Sequence, residues 1–387
     1  VVFVKRIVLG LVFLSVAASV FVGGHLYLAQ RLVYDPAWPA GVERALLLGI
    51  WLLALSIPAE PLAERLLPRR ASRLVAWPAA LWMGVAFLLL VTLWASELVV
   101  WLLGAAGGSD ADLARGRALG VVGLVGVAAA LGMRSALSPP RTHRLEVRLA
   151  RWPAALDGYR IVQISDVHIG PILDRRFAQH VTERVNALAP DLVAVTGDLV
   201  DGREHHLAEE VAPFADLRAR DGVFFVTGNH DYFSGVDPWV SRVRKLGMRT
   251  LRNERVSLGE GEASFDLAGV EDHRSGLYSR GPGSDLDAAL EGRDPARPLV
   301  LLAHDPSTFR AARRRGVDLQ ISGHTHDGQI WPFTWVVRAV IPWVAGLYRD
   351  GDAACFVSRG TGFWGPPIRL FAPAEISELI LRSAEAA

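Results

Sequence analysis

Residues 160–168 read RIVQISDVH. An apolar run of strand length ends on Asp166 and His168, a carboxylate and an imidazole two positions apart. That is how a buried β-strand delivers ligands to the loop at its end, where i and i+2 point the same way and both can reach one ion. Four more blocks follow in order. Gly197-Asp198 comes after Leu192–Val195, and Gly228-Asn229-His230-Asp231 after Val223–Val226. His304-Asp305 comes after Leu299–Ala303, and Gly323-His324-Thr325-His326 after Leu319–Ser322. Every candidate ligand is a carboxylate, an amide oxygen or an imidazole, and none is a thiolate. Open α/β sheets carry their chemistry at strand ends. The five blocks therefore predict one pocket holding two metal ions.

Each block alone says little, because Asp-x-His and Gly-Asp arise by chance and a lone histidine is usually a satisfied polar residue. Their order and shared setting carry the argument. Gly197 leaves room for a tight turn. Asp198 has two oxygens and suits a ligand shared between two ions, Asn229 offers a neutral amide oxygen, and His324 and His326 repeat the i, i+2 spacing. Two cations about 3.5–4 Å apart clamp a phosphoryl group and lower the pKa of a bridging water toward neutrality, so that a metal-bound hydroxide attacks in line. Mixed nitrogen and oxygen ligation suits Mn, Fe, Zn or Co better than Mg.

Around these blocks the pattern is mixed α/β. Helical periodicity covers Asp174–Leu188, Glu204–Ala219 and Trp239–Leu246, and strand-like runs cover Met248–Leu251, Arg255–Leu258 and Ser264–Leu267. A first strand near Val147 and late strands near Ala354–Ser358 and Ser377–Leu381 complete a mixed sheet system with flanking helices.

The first 140 residues are different. Apolar stretches run over Ile7–Leu28, Ala45–Ile57, Leu74–Leu103 and Ala118–Leu137. About 20 apolar residues span a bilayer core. Three stretches reach that length, and the second does so if its helix starts near Pro39. No clear small-residue cleavage site follows the first stretch, so a signal peptide does not account for it. Pro139-Pro140 ends the fourth helix and opens a linker. The predicted division is a transmembrane helical region over 1–140 and a catalytic domain over 141–387. Glu97 falls inside the third stretch, where an acidic side chain marks either a functional site or the membrane interface. Arginines at 65, 69, 70 and 73 and again at 141, 144, 148 and 151 flank alternate connections, which places those connections and the second half in the cytoplasm.

Charge excludes some classes. Of 387 residues, the first 140 carry 11 Lys and Arg against 7 Asp and Glu, and the rest carry 30 against 33. Neither part has the basic excess of a nucleic-acid binder. The single cysteine, Cys355, excludes an internal disulfide and lies in an apolar run that predicts a buried, inert thiol.

The five blocks together resemble the calcineurin-like metallophosphoesterase superfamily, whose signature is Asp-x-His, Gly-Asp, Gly-Asn-His-Asp/Glu, an isolated His and Gly-His-x-His. All five are present, and the likeness covers about Leu145 to the C-terminus. GNHDYFSG (228–235), GHTHDGQ (323–329) and SRGTGFWGPPIRLF (358–371) look closest to the family's membrane-associated bacterial branch. The resemblance implies mixed β-sheets sandwiched by helices. It implies one ion on Asp166, His168, Asp198 and His326 and another on Asp198, Asn229, His304 and His324. His230 would protonate the leaving oxygen, and Asp231 would orient His230 by accepting from its other ring nitrogen. The implied activity is hydrolysis of a phosphodiester or pyrophosphate at the inner or plasma membrane of a bacterium, with the membrane half favouring a lipid-linked substrate. The rival readings are a phosphomonoesterase on a soluble substrate with the membrane region as anchor only, a transporter or sensor regulated by the metal domain, and a non-catalytic metal scaffold. Few charges in the spans count against the transporter, and the full ligand set with His230 counts against the scaffold.

Two segments carry less defined expectations. Gln329–Tyr348, rich in Trp and Phe, reads as a flap packed on the sheet or as an apolar lip beside the metals. Arg310, Arg313, Arg314 and Arg315 read as a solvated helix end, with phosphate contact as the alternative.

Overall fold

The structure is a computed structural model and describes residues 2–104, 111–273, 275–278 and 283–384. The chain forms two compact units, Val1–Leu131 and Gly132–Ala387. The first is built from helices α1 (Val2–Ala29), α2 (Ala40–Leu66), α3 (Arg69–Gly104) and α4 (Ala111–Leu137), and α4 continues into the second unit. All four are long and apolar enough to cross a membrane. The second stretch extends upstream as its length required: α2 is capped at Pro39 and runs on through Pro58 and Pro61 to 27 residues. Glu97 accepts from the Tyr27 hydroxyl at 2.8 Å and from Arg117 at 2.7 Å, and Arg31 Nε lies 2.8 Å away. Glu97 is thus a neutralised carboxylate in a polar cluster.

Among the described residues the second unit holds twelve strands in two sheets. Sheet one has the order β1-β12-β2-β3-β4-β5 and sheet two β10-β11-β9-β8-β7-β6. The strands are β1 (Arg141–Leu149), β2 (Tyr159–Ile164), β3 (Leu192–Thr196), β4 (Val223–Val226), β5 (Arg249–Thr250), β6 (Glu254–Glu260), β7 (Ala263–Gly269), β8 (Leu299–Leu302), β9 (Leu319–Ser322), β10 (Gly346–Asp350), β11 (Ala353–Val357) and β12 (Glu375–Ser383). Ile161, Ala194, Phe224 and Leu379 of sheet one pack on Leu267, Val300, Ile321 and Phe356 of sheet two, forming the central core. The outer face of sheet one packs on α5 (Arg175–Ala187) and α7 (Val236–Lys245) through Val181, Val185, Trp239 and Val243. Between those helices in sequence lies the short α6 (Asn229–Phe233). β2, β3 and β4 are mutually parallel, as are β7, β8 and β9, so their C-terminal ends share a side.

Three expectations need correction. No linker follows Pro140, because β1 begins at Arg141. Its first half is charged because β1 is an edge strand, where Arg144 meets Glu378 of the neighbouring β12 at 2.7 Å. The helix read over Glu204–Ala219 is broken into a turn at Glu204–Leu207 and a 3-10 turn at Ala212–Asp216, since Pro213 has no N–H for a helix interior. The segment Gln329–Tyr348 is divided. Trp343 packs on Phe309 with ring centroids 5.5 Å apart, whereas α8 (Phe333–Val340) buries none of its residues. Cys355 is fully buried as expected, and burial pushes its thiol pKa up. Arg313 and Arg315 are paired with Asp350 and Asp287, so these two end the helix as ion-paired residues.

Candidate metal centre

β2, β3, β4, β8 and β9 each end just before one block of the five. The chain then leaves strand geometry abruptly. Asp166, His168, Asp198, His324 and His326 all have positive φ, between 50° and 74°. Left-handed backbone is uncommon for residues with a Cβ, and its concentration here marks a site held by the surrounding fold. The i, i+2 pairs therefore do not converge by strand alternation. Asp166 and His168 stay together, while His324 and His326 diverge. Asp166, His168 and His326 form one group, and Asp198, His304 and His324 form another, each with donor atoms within 4.8 Å of one another.

Within the first group His168 Nε2 lies 3.1 Å from His326 Nε2, and His326 Nε2 lies 3.4 Å from Asp166 Oδ1. Within the second, His304 Nε2 lies 3.2 Å from both Asp198 Oδ2 and His324 Nδ1. Asp198 Oδ2 is also 3.9 Å from His168 Nε2, so this carboxylate stands between the two groups. Close approach of the loops depends on glycine. A Cβ on Gly197, at φ +86°, would sit 2.6 Å from the Gly228 nitrogen and 2.7 Å from His304 Nδ1.

Second partners set the tautomers. His304 Nδ1 donates to the Thr196 carbonyl at 2.8 Å, and His168 Nδ1 donates to Asp201 at 3.0 Å. With Nδ1 committed in this way, Nε2 of each ring is the nitrogen left to face the centre, as in a metal-ligating imidazole. Burial, then the neighbouring His168 and the Arg369 guanidinium, hold His326 well below the usual imidazole range, in the neutral form that ligates. Asn229 Oδ1 is buried and lacks a hydrogen-bond partner among the described atoms, as an unfilled ligand oxygen would. On these observations the residues fit divalent cations.

His230 has one ring nitrogen committed, with Nδ1 donating to Asp201 at 2.7 Å. Burial disfavours its charged form, but the Asp201 carboxylate outweighs this and pushes the pKa up to about 9. The Asp201 carboxylate thus favours the protonated ring. Its ring lies between Phe233 and Trp364, with centroids 5.3 Å and 5.8 Å away.

Asp231 does not orient His230. Its carboxylate accepts from the backbone N–H groups of Gly228 at 2.8 Å and of Asp198 and Leu199 at 3.0 Å. α6 turns the Asp231 side chain back to its own N-terminus, where it ties the second block to the third. Burial and the nearby Asp198 charge raise its pKa. Asp201 takes the orienting role and bridges His168 and His230 with its two oxygens. The sequence did hold a signal, the second acidic residue in Gly-Asp-Leu-Val-Asp, three positions beyond Asp198. Asp305 caps the turn at Pro306–Thr308 by accepting from the Ser307 N–H. Arg369, also absent from the sequence reading, is buried and lies 3.1 Å from His326 Nδ1 while donating to the carbonyls of Gly362 and Ala372.

The comparisons agree with this geometry. The family model for calcineurin-like phosphoesterase matches residues 159–328, which contain all five blocks. A bovine transmembrane protein with metallophosphoesterase domain is 38% identical over 304 residues, covering 75% of this chain and 68% of the relative. The zebrafish protein of the same description is 34% identical and covers 67% and 62%. An uncharacterized metallophosphoesterase of Helicobacter pylori strain J99 is 35% identical and covers 65% and 66%. With an intact block order, a metal-shaped site and relatives of this kind, the chain is a membrane protein that belongs to the calcineurin-like phosphoesterase family.

Proposed function

We propose that this membrane-anchored, metal-dependent phosphoesterase hydrolyses a phosphodiester or pyrophosphate bond with two divalent cations. The observation that carries the dinuclear reading is Asp198 standing between two ligand groups, each with its own pair of inward imidazole nitrogens. Two bound cations would supply Lewis-acid polarisation of the phosphoryl oxygens and an acidified water. The chain's own residues do the rest. Asp166, His168 and His326 would hold one ion, Asn229, His304 and His324 the other, and Asp198 would serve both. His230 holds a proton on Nε2, the nitrogen Asp201 leaves open, and delivers it to the leaving oxygen. The substrate we favour is lipid-linked, which the four membrane-capable helices support. Full-length protein stripped with chelator and reloaded with Mn, Fe, Zn or Co is expected to take up two ions per chain. It should then hydrolyse p-nitrophenyl methyl phosphate faster than p-nitrophenyl phosphate. Uptake of one ion would sink the dinuclear reading, and a preference for the monoester would sink the diester reading.

We further place the catalytic unit on the cytoplasmic side of a bacterial inner membrane. The last turn of α2, the first turns of α3 and the strand β1 carry the arginine excess. A green fluorescent protein joined to the C-terminus should fluoresce, and an alkaline phosphatase joined there should be inactive. Cleavage of the catalytic unit by protease added outside intact cells would reverse the assignment.

A further inference from the structure

Within residues 138–384, the exposed large apolar side chains among those described fall in three segments: Phe233, residues 331–340, and residues 364–371. These segments touch. Trp331 meets Trp335 and Phe371 with ring centroids 5.4 Å and 6.2 Å apart. The Gln329 side chain binds the Trp364 loop three times, donating to the carbonyls of Trp364 at 2.8 Å and Pro366 at 3.0 Å and accepting from the Trp364 N–H at 2.9 Å. Trp364 and Phe233 flank the ring of His230. One apolar rim thus runs from the proton donor to α8 and Phe371. Trp335 is 62% exposed and Phe371 84%. A helix such as α8, with Arg338 as its one charged residue and its apolar side turned outward, is the reverse of what a domain surrounded by water displays.

The place of this rim in the fold indicates its partner. The last turn of α4, Gly132–Leu137, belongs to the catalytic unit. Ala136 joins the core beneath sheet one, and the Gly132 carbonyl accepts from the Arg369 N–H at 2.9 Å. A Cβ on Gly132 would lie within 3.2 Å of Leu370, so the helix and this segment are packed at backbone range. Phe371 comes next in the chain, and Leu370 pairs with Ile330 beside Trp331. The rim therefore adjoins the point where a membrane-capable helix ends. Trp and Phe with an isolated arginine are the side chains that partition to the headgroup layer of a bilayer.

We propose that this rim is a bilayer-docking face. It seats in the headgroup and upper acyl layer of the leaflet at the end of α4 and opens the metal centre to phosphate esters carried by lipids there. The docking rests on the geometry above, and only the chemistry delivered rests on the phosphoesterase reading.

The test uses the full chain in phosphatidylcholine–phosphatidylglycerol nanodiscs, with Cys355→Ala and single spin-labelled cysteines at Trp335, Val340 or Phe371. Controls carry the label at Arg184 or Glu262, both exposed in the same unit. Rim labels should be relaxed by lipid-dissolved oxygen over an aqueous nickel chelate, and control labels the reverse. Rim labels as open to the chelate as the controls would overturn the proposal. So would rim labels shielded from both reagents and broadened by spin–spin coupling, which would mean a second copy covers the face. A kinetic arm pairs p-nitrophenyl hexadecyl phosphate in the nanodisc with p-nitrophenyl methyl phosphate in solution. The variant Trp335→Ser/Phe371→Ser should lose about tenfold or more in kcat/KM on the first, and stay within about twofold on the second. Equal losses on both would make the rim a structural element. If the parent hydrolyses neither compound, the phosphoesterase reading fails, and the spin labels still decide the docking face.

Discussion

Asp198→Asn should weaken binding of both cations by about 10²–10⁴-fold, the effect of removing one charged partner from a buried ionic cluster. The mutation removes a charge from both ligand groups at once, because Asp198 Oδ2 faces His304 at 3.2 Å and His168 at 3.9 Å. An asparagine can still accept the His230 N–H that Asp198 Oδ1 accepts at 2.8 Å, so the loop should persist. Metal analysis after dialysis should find fewer than one ion per chain where the parent holds two, with activity lost in proportion. Loss of one ion only would show that Asp198 serves a single group and that the bridging role is wrong. Replacing His324 alone is the matching control, expected to empty one group and spare the other.

His230→Gln should lower kcat by about 10²–10⁴-fold while both ions stay bound, the range for loss of a general acid. Its Nδ1 is held by Asp201 at 2.7 Å, and that carboxylate raises the pKa of the ring. Near-parental turnover would assign the proton transfer elsewhere. Asp201→Asn should act on both functions, because the same carboxylate orients His168 at 3.0 Å. We expect about 10–100-fold weaker metal binding there, together with slower turnover. Asp231→Asn should instead lower the melting temperature, because an amide cannot accept all three N–H groups that this carboxylate holds. The two acids, Asp201 three positions beyond Asp198 and Asp231 directly after His230, are thereby separated by experiment.

Much of this protein is legible in its residues because the signals are local. The four apolar helices follow from length and hydropathy, and α2 reached spanning length once Pro39 was taken as its start. The parallel strands β2, β3, β4, β8 and β9 were read from short apolar runs, each bounded by a ligand block. The ligand types identified oxygen and nitrogen chemistry, and the five blocks in order carried the resemblance to the phosphoesterase family. Local pattern misled where a partner lay far away. The charged start of β1 looked like linker because its pairing strand, β12, is more than 200 residues distant. The helical pattern of Glu204–Ala219 ignored one proline.

The site's inner wiring was decided by tertiary structure. Sequence adjacency made Asp231 the natural partner of His230, yet α6 points that carboxylate to backbone N–H groups and the chain brings Asp201 to the ring. Spacing alone would put His324 and His326 together, whereas the family resemblance assigned them to different ions; left-handed backbone at both sends them to different ligand groups. The exposure of α8 was equally invisible, since composition cannot say which apolar helix finds a core and which is left facing outward. A residue's type and its strand register are written in the chain nearby. Which atom its side chain meets depends on loops that bring together residues 29 to 158 positions apart, and only the packed fold sets those distances.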